Sequence, residues 1–180
     1  MEISPVLKKL FIGRTFTNER GRIKLFGKMD WTFYESRWFA YFLQKTGERL
    51  GPDFLFNLGY KNGRLNAEEM VASMKIKPSG GWITQNAIIE LLDFLGYGKL
   101  KFIVSKTSPG GHHHFIMQMK DNPTVEKAIK MYGKNSRVCY FFDGIFSGHG
   151  EIEMGLKNVH IRENKCLSRG DPYCEWETKW

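Results

Sequence analysis

The sequence predicts an α+β fold in which an antiparallel sheet of two hairpins packs against several helices. Two observations carry this. Apolar residues recur at helical spacing in two separate regions, and in two others the spacing drops to two, with a turn sequence between paired segments. The order that results is helices, hairpin, helices, hairpin, not the strict strand–helix alternation of a parallel sheet.

Residues 1–21 read as an N-terminal arm leading into a strand near Arg22–Gly27. No repeat, low-complexity tract or Pro/Gly-rich linker divides the rest, so 22–180 is expected to be one domain. "DWTFYESRWFAYFLQKTGERLG" has helical spacing, with Phe39, Phe42, Leu43 and Leu50 near one face. A second helix follows Pro52 through "FLFNLGYKNG". "NAEEMVASM" starts a third, with Asn66 as cap and Glu69 three residues on. Trp82 to Leu95 is a further amphipathic helix, closed by Gly96. "KLKFIVSKTS" and "HHHFIMQMK" are strands joined by the Pro-Gly-Gly turn at 109–111. "NPTVEKAIKMYG" and "SRVCYFFDGIFSGHG" return to helical spacing. "LKNVHIRENK" and "YCEWETKW" form the closing hairpin.

The chain has 180 residues, of which 42% are hydrophobic and 14% aromatic, enough for a real core. The N-terminus lacks the pattern of a secretory signal, and no apolar run is long enough to span a membrane. A cytoplasmic protein with reduced thiols is expected. The net charge of +8 raises the question of nucleic acid. The basic residues are spread out, however, and the densest group, Lys127, Lys130, Lys134 and Arg137, reads as a solvated stripe.

Cysteine usage is more informative. The chain has 3 cysteines, and two of them, Cys166 and Cys174, flank one Gly-Asp-Pro turn. Cys139 opens the preceding helix. Three thiolates suit a borderline-soft ion such as zinc if a fourth ligand joins them, and Glu163 is the candidate. Residues three apart on a strand face opposite sides, so Glu163 and Cys166 converge only if Cys166 lies beyond the strand's end. Arg137, Arg162, Lys165 and Arg169 are near enough in sequence to offset the charge of such a site. Three unligated buried cysteines are the alternative.

"VCYFFDGIFSGHG" followed by "ENKCLSRGDPYCEW" resembles the 4-vinyl-reductase (4VR) domain family, through Val138-Cys139, Gly144, Ser147, Gly148, Glu163, Cys166, Gly170, Asp171 and Cys174. The resemblance implies a fold related to transport-particle (TRAPP) subunits. It also implies a structural zinc held by Cys139, Glu163, Cys166 and Cys174, as in bacterial phenol-sensing transcription activators, with a Cys-to-Glu interval one residue longer here. Residues 20–180 are covered, but only the last 45 or so carry specific motifs.

A pocket follows from these placements. If Cys139 faces a metal, helical spacing turns Asp143 and Phe146 the same way, and strand alternation from Glu163 turns Ile161 and Val159 inward. The resemblance adds Ile116 and Gln118 on a facing strand, Gln118 standing where the sensors carry a tryptophan. Gln118 and Asp143 would then be the polar anchors for a small hydrophobic ligand with a hydroxyl or amide. An ordinary filled core is the alternative.

Four protein ligands would make the zinc structural, and the chain has no Rossmann or phosphate-loop motif. "GIFSGHG" lacks nucleophile-elbow spacing, and its glycines suit close helix packing. The expected function is therefore a small-molecule sensor without enzymatic activity, working in regulation with a possible separate output protein. A TRAPP-like scaffold and a tetrapyrrole vinyl-reductase component are the alternatives; nucleic acid rests on charge alone. Trp31, Phe33, Trp38 and Tyr41 crowd the start of the first long helix, so a homodimer through the N-terminal half is expected.

Overall fold

Among the described residues, the first helix begins where Glu35 turns its carboxylate onto the free N–H groups of Arg37 and Trp38, both at 2.8 Å. In this computed structural model, the residues described are 16–19, 22–25, 29–32, 34–74, 89–93, 95–107, 113–154 and 161–179. The helix, α1, spans Ser36–Leu50 and stops at Gly51, whose φ of +89° suits glycine. Its core face is Phe39, Ala40, Leu43, Gln44 and Gly47. Phe42 and Leu50, assigned to that face from sequence, are 42% and 52% exposed. The helix leans further round than its aromatic spacing suggests.

Pro52 opens α2, Pro52–Met74, where its missing N–H costs nothing. This is one continuous helix and corrects the expected break at Asn66. The Asn66 side chain donates to Asn62 one turn back, at 3.1 Å, and does not cap a new helix. Ahead of these helices, β1 (Phe16–Glu19), β2 (Arg22–Leu25) and β3 (Met29–Trp31) form a three-stranded antiparallel sheet. The strand expected at 22 is present, and its partner β1 lies within the stretch assigned to the arm.

A helical segment at 89–93 leads to a turn at Gly96, φ +84°. The rest of the expected Trp82–Leu95 helix and the 109–111 turn lie outside the described residues. Strands β4 (Lys99–Thr107) and β5 (His113–Lys120) pair antiparallel. After them comes α3 (Pro123–Tyr132), capped by Asn122, which accepts from Val125 N–H at 2.9 Å and donates to the Tyr97 carbonyl at 2.6 Å. Lys127, Lys130 and Lys134 are exposed as expected. Arg137 leaves that stripe, its guanidinium donating to the Gly47 carbonyl at 2.9 Å.

Helix α4 (Cys139–Met154) is apolar nearly all round because it is covered on both sides. Toward α2 it presents Gly144 and Gly148, which lie against the backbone of Phe56, Tyr60 and Arg64, while Gly59 and Gly63 of α2 lie against that of Phe141 and Ile145. A Cβ on Gly144 would sit 2.0 Å from the Phe56 carbonyl oxygen, so the helix backbones touch. Toward the sheet it presents Phe142 and Phe146. Strands β6 (Arg162–Lys165) and β7 (Cys174–Lys179) complete a second sheet of order β4-β5-β7-β6, antiparallel throughout. The fold is therefore α+β, with two hairpins side by side under α4. Among the described residues, no helix is long and apolar enough to cross a membrane.

Candidate metal centre and ligand cavity

The turn between β6 and β7 assembles the first site. Cys166 lies just past the end of β6 and leads into a 3₁₀ turn at Leu167–Arg169. Asp171 closes it by accepting from Cys166 N–H at 2.8 Å, and Gly170 takes a left-handed φ of +99°. A register shift between Glu163 and Lys165 turns Glu163 toward the same side as Cys166. α4 supplies Cys139 from its first turn, and β7 supplies Cys174. The ligand atoms of Cys139, Glu163, Cys166 and Cys174 all lie within 4.8 Å of one another, with the three cysteines buried.

This crowding has an electrostatic consequence. Burial first, then the charges of Asp143 and Cys166, pushes the Glu163 carboxyl up to about 9. Hydrogen bonds from Cys139 and Cys174 hold the Cys166 thiol well below its ordinary value, with Ser168 Oγ 2.9 Å from its sulfur. The same contact with Cys166, then that with Cys174 and burial, raises Cys139. Glu163 Oε1 is buried with no hydrogen-bond partner. An unsatisfied carboxylate oxygen among three sulfurs is what a divalent ion would satisfy. Arg169, 3.8 Å from Glu163 Oε2, offsets part of the site's negative charge from its solvent side.

Of the six residues expected to line a ligand pocket, the five that are described do not all line one space. Ile116 and Gln118 are on the face of β5 away from α4, where Gln118 donates to Glu175 at 2.7 Å. The face toward α4 carries Phe115, Met117 and Met119, all buried. On a strand, neighbouring residues face opposite sides, so the two expected positions and the buried ones differ by a single step. Val159 lies outside the described residues. Phe146 and Ile161 do line a small cavity of about 40 Å³ between α4 and the sheet, with Phe102, Phe115, Met117 and Trp176. Asp143 instead faces an open cleft of about 700 Å³ that runs past Tyr140 and Asn57 to Cys139, Glu163 and Cys166.

Sequence reasoning missed the cavity's polar groups, His149 and Glu153. They stand one turn apart on α4, both buried, with Nδ1 2.6 Å from Oε1. The spacing of four was visible in "HGEIE", but nothing local says that both residues turn inward. Ser147 was also missed as a tie: its hydroxyl accepts from Ile161 N–H at 3.1 Å and donates to the Asp143 carbonyl at 2.8 Å.

No protein-family model matches the chain, that of the 4VR domain included, and no curated protein matches it. Solved structures do. The phenol-responsive sensory domain of the transcription activator PoxR, solved with phenol, superposes with a TM-score of 0.76 at 19% identity, covering 97% of this chain and 88% of that one. A trafficking protein particle complex subunit 3 from Naegleria fowleri, covalently bound to palmitic acid, gives 0.57 at 16% identity, covering 80% and 93%. An H-NOX protein from S. oneidensis gives 0.52 at 12% identity, covering 96% and 87%. The chain thus shares the fold of the sensory domain and of the trafficking subunit, the two likenesses its C-terminal motifs implied.

Proposed function

We propose that this chain is a zinc-stabilised module that binds a small, largely apolar molecule carrying one hydrogen-bonding group, and that it acts in regulation as a homodimer. The observation that carries the reading is the cavity under α4, apolar except at His149, Glu153 and Thr178. The fold shared with a phenol-responsive sensory domain supports it. At about 40 Å³ the cavity has room for little more than a water, so a ring-bearing ligand enters only as side chains shift.

The contact with Glu153 engages Nδ1 of His149, which leaves its Nε2 as the acceptor for a ligand hydroxyl or N–H. These two residues replace Gln118 and Asp143 as the proposed anchors. Cys139, Glu163, Cys166 and Cys174 would hold the zinc, which supplies a crosslink between α4 and the last hairpin. Four protein ligands leave no open position, so we read the module as a binder and not a reductase. The exposed aromatic ridge on α1 is the surface assigned to the dimer; it also favours a TRAPP-like scaffold as the second reading.

Thermal unfolding of the purified chain with phenol, benzyl alcohol, benzene or toluene tests the ligand assignment, with native mass spectrometry reporting bound zinc. The hydroxyl-bearing probes should stabilise more than their hydrocarbon counterparts, and His149→Phe should erase the difference. Stabilisation by none of the four, or equally by all, would sink the reading.

A further inference from the structure

We infer that Cys139 and Cys166 are a site of oxidative modification, where hydrogen peroxide entering the open cleft joins the two as a disulfide and leaves Cys174 a thiol. Both cysteines stand on the wall of the cleft of about 700 Å³, whereas Cys174, fully buried, is not among the residues that line it. Susceptibility of a thiol to peroxide follows its access to solvent, so the cleft singles out this pair. Their sulfurs are already 3.4 Å apart. A disulfide places them about 2.0 Å apart, so closing the gap moves each sulfur by less than one ångström. The loss of zinc that follows rests on the metal assignment above; formation of the disulfide does not.

The backbone also favours this pair over the two cysteines of the hairpin. Cys139 is the first residue of α4, and Cys166 lies just past the end of β6, so both sit where an element ends and adjust cheaply. Cys174 is held inside the sheet, paired with Met119 of β5, and its sulfur accepts from Leu167 N–H at 3.5 Å. In the reaction, one thiolate attacks a peroxide oxygen. An S–O bond forms, the O–O bond breaks and hydroxide leaves, giving a sulfenic acid. The other thiolate attacks that sulfur, so that S–S forms, S–O breaks and a second hydroxide leaves. Two electrons pass from the sulfurs to the peroxide, whose oxygens end as water, and none comes from a metal. Two of the four proposed zinc ligands are then lost, and Glu163 with Cys174 is too few to hold the ion. The new bond ties the start of α4 to the β6–β7 turn, the same elements the zinc would join, so the oxidised chain stays folded.

Hydrogen peroxide added to the full, reduced chain, supplied with an equivalent of zinc, is the test. After alkylation of the remaining thiols, peptide mapping by mass spectrometry should find Cys139 joined to Cys166, with the loss of two hydrogens, and Cys174 alkylated. A chromogenic zinc indicator should register release of the bound ion, and dithiothreitol should restore both thiols and zinc binding. Cys174→Ser should still form the bond; if that variant does not fold, the wild-type map carries the result. A disulfide that includes Cys174, a link between chains, or sulfinic acid in place of a disulfide would overturn the assignment. So would three unreacted thiols under exposure that oxidises free glutathione. Should the Cys139–Cys166 bond form in a chain that never bound zinc, the modification site stands and the zinc assignment falls.

Discussion

Asp143 sits in surroundings that nothing in its local sequence foretells. Burial pushes its carboxyl from 3.8 up to about 7, although the hydrogen bond from Trp176 pulls the other way. Between those values the folded chain binds more protons at this site than the unfolded chain does. Stability should therefore fall as pH rises through that window, by at most ~1.4 kcal/mol per pH unit, and level off above it. Asp143→Asn keeps an acceptor for Trp176 and should flatten the slope; urea unfolding between pH 4.5 and 7.5 reads it, and parallel profiles for the two proteins would refute the assignment. The cysteines give a second test. Cys174→Ser removes one of three sulfurs and should release the proposed zinc and loosen the β6–β7 hairpin. Stoichiometric zinc retained by the variant, measured by elemental analysis, would rule out Cys174 as a ligand. At this scale the cluster was legible in the sequence, because a tight turn brings Cys166 and Cys174 together whatever the rest of the chain does. His149 and Glu153 were not, because burial of a polar pair depends on what covers the helix.

At the level of elements, the crossing of α2 and α4 depends on the absence of side chains. Gly59, Gly63, Gly144 and Gly148 each lie against the opposite helix, and a Cβ at 144 or 59 would come within 2.0 Å of a carbonyl oxygen. Backbone cannot rotate away as a flexible side chain would, so Gly144→Ala should cost at least the upper end of the ~1–3 kcal/mol typical of overpacking. Denaturant titration measures this, and an unchanged midpoint would show that the helices can separate freely. "GIFSGHG" announced a packing role through its glycine spacing alone. It did not announce the partner, since Gly59 and Gly63 are remote in sequence. The apparent cap at Asn66 misled for a related reason: α4 packs along α2, and that favours one long helix over a local stop.

At the level of the whole molecule, Tyr34, Trp38 and Phe42 stack along α1, with Trp38 and Tyr41 52% and 51% exposed. Trp31 and Phe33, expected on the same surface, have side chains outside the described residues. An apolar ridge of this kind is hidden most simply by a twofold contact. Sedimentation at micromolar concentration should report a dimer and Trp38→Glu should give a monomer, whereas a monomeric wild type would remove the proposal. The sequence by itself determined the α+β class, the paired strands, the helix opened by Pro52, and the residues of the cysteine–glutamate cluster. Apart from Cys139, which lies 27 residues before Cys166, these follow from spacing or turn chemistry within a few residues. Tertiary structure alone decided which face of β5 meets α4 and which polar residues enter the cavity. A strand's period of two offers two equivalent faces, and a helix apolar all round offers no preferred one. Only the packing of α4 between α2 and the sheet breaks those symmetries.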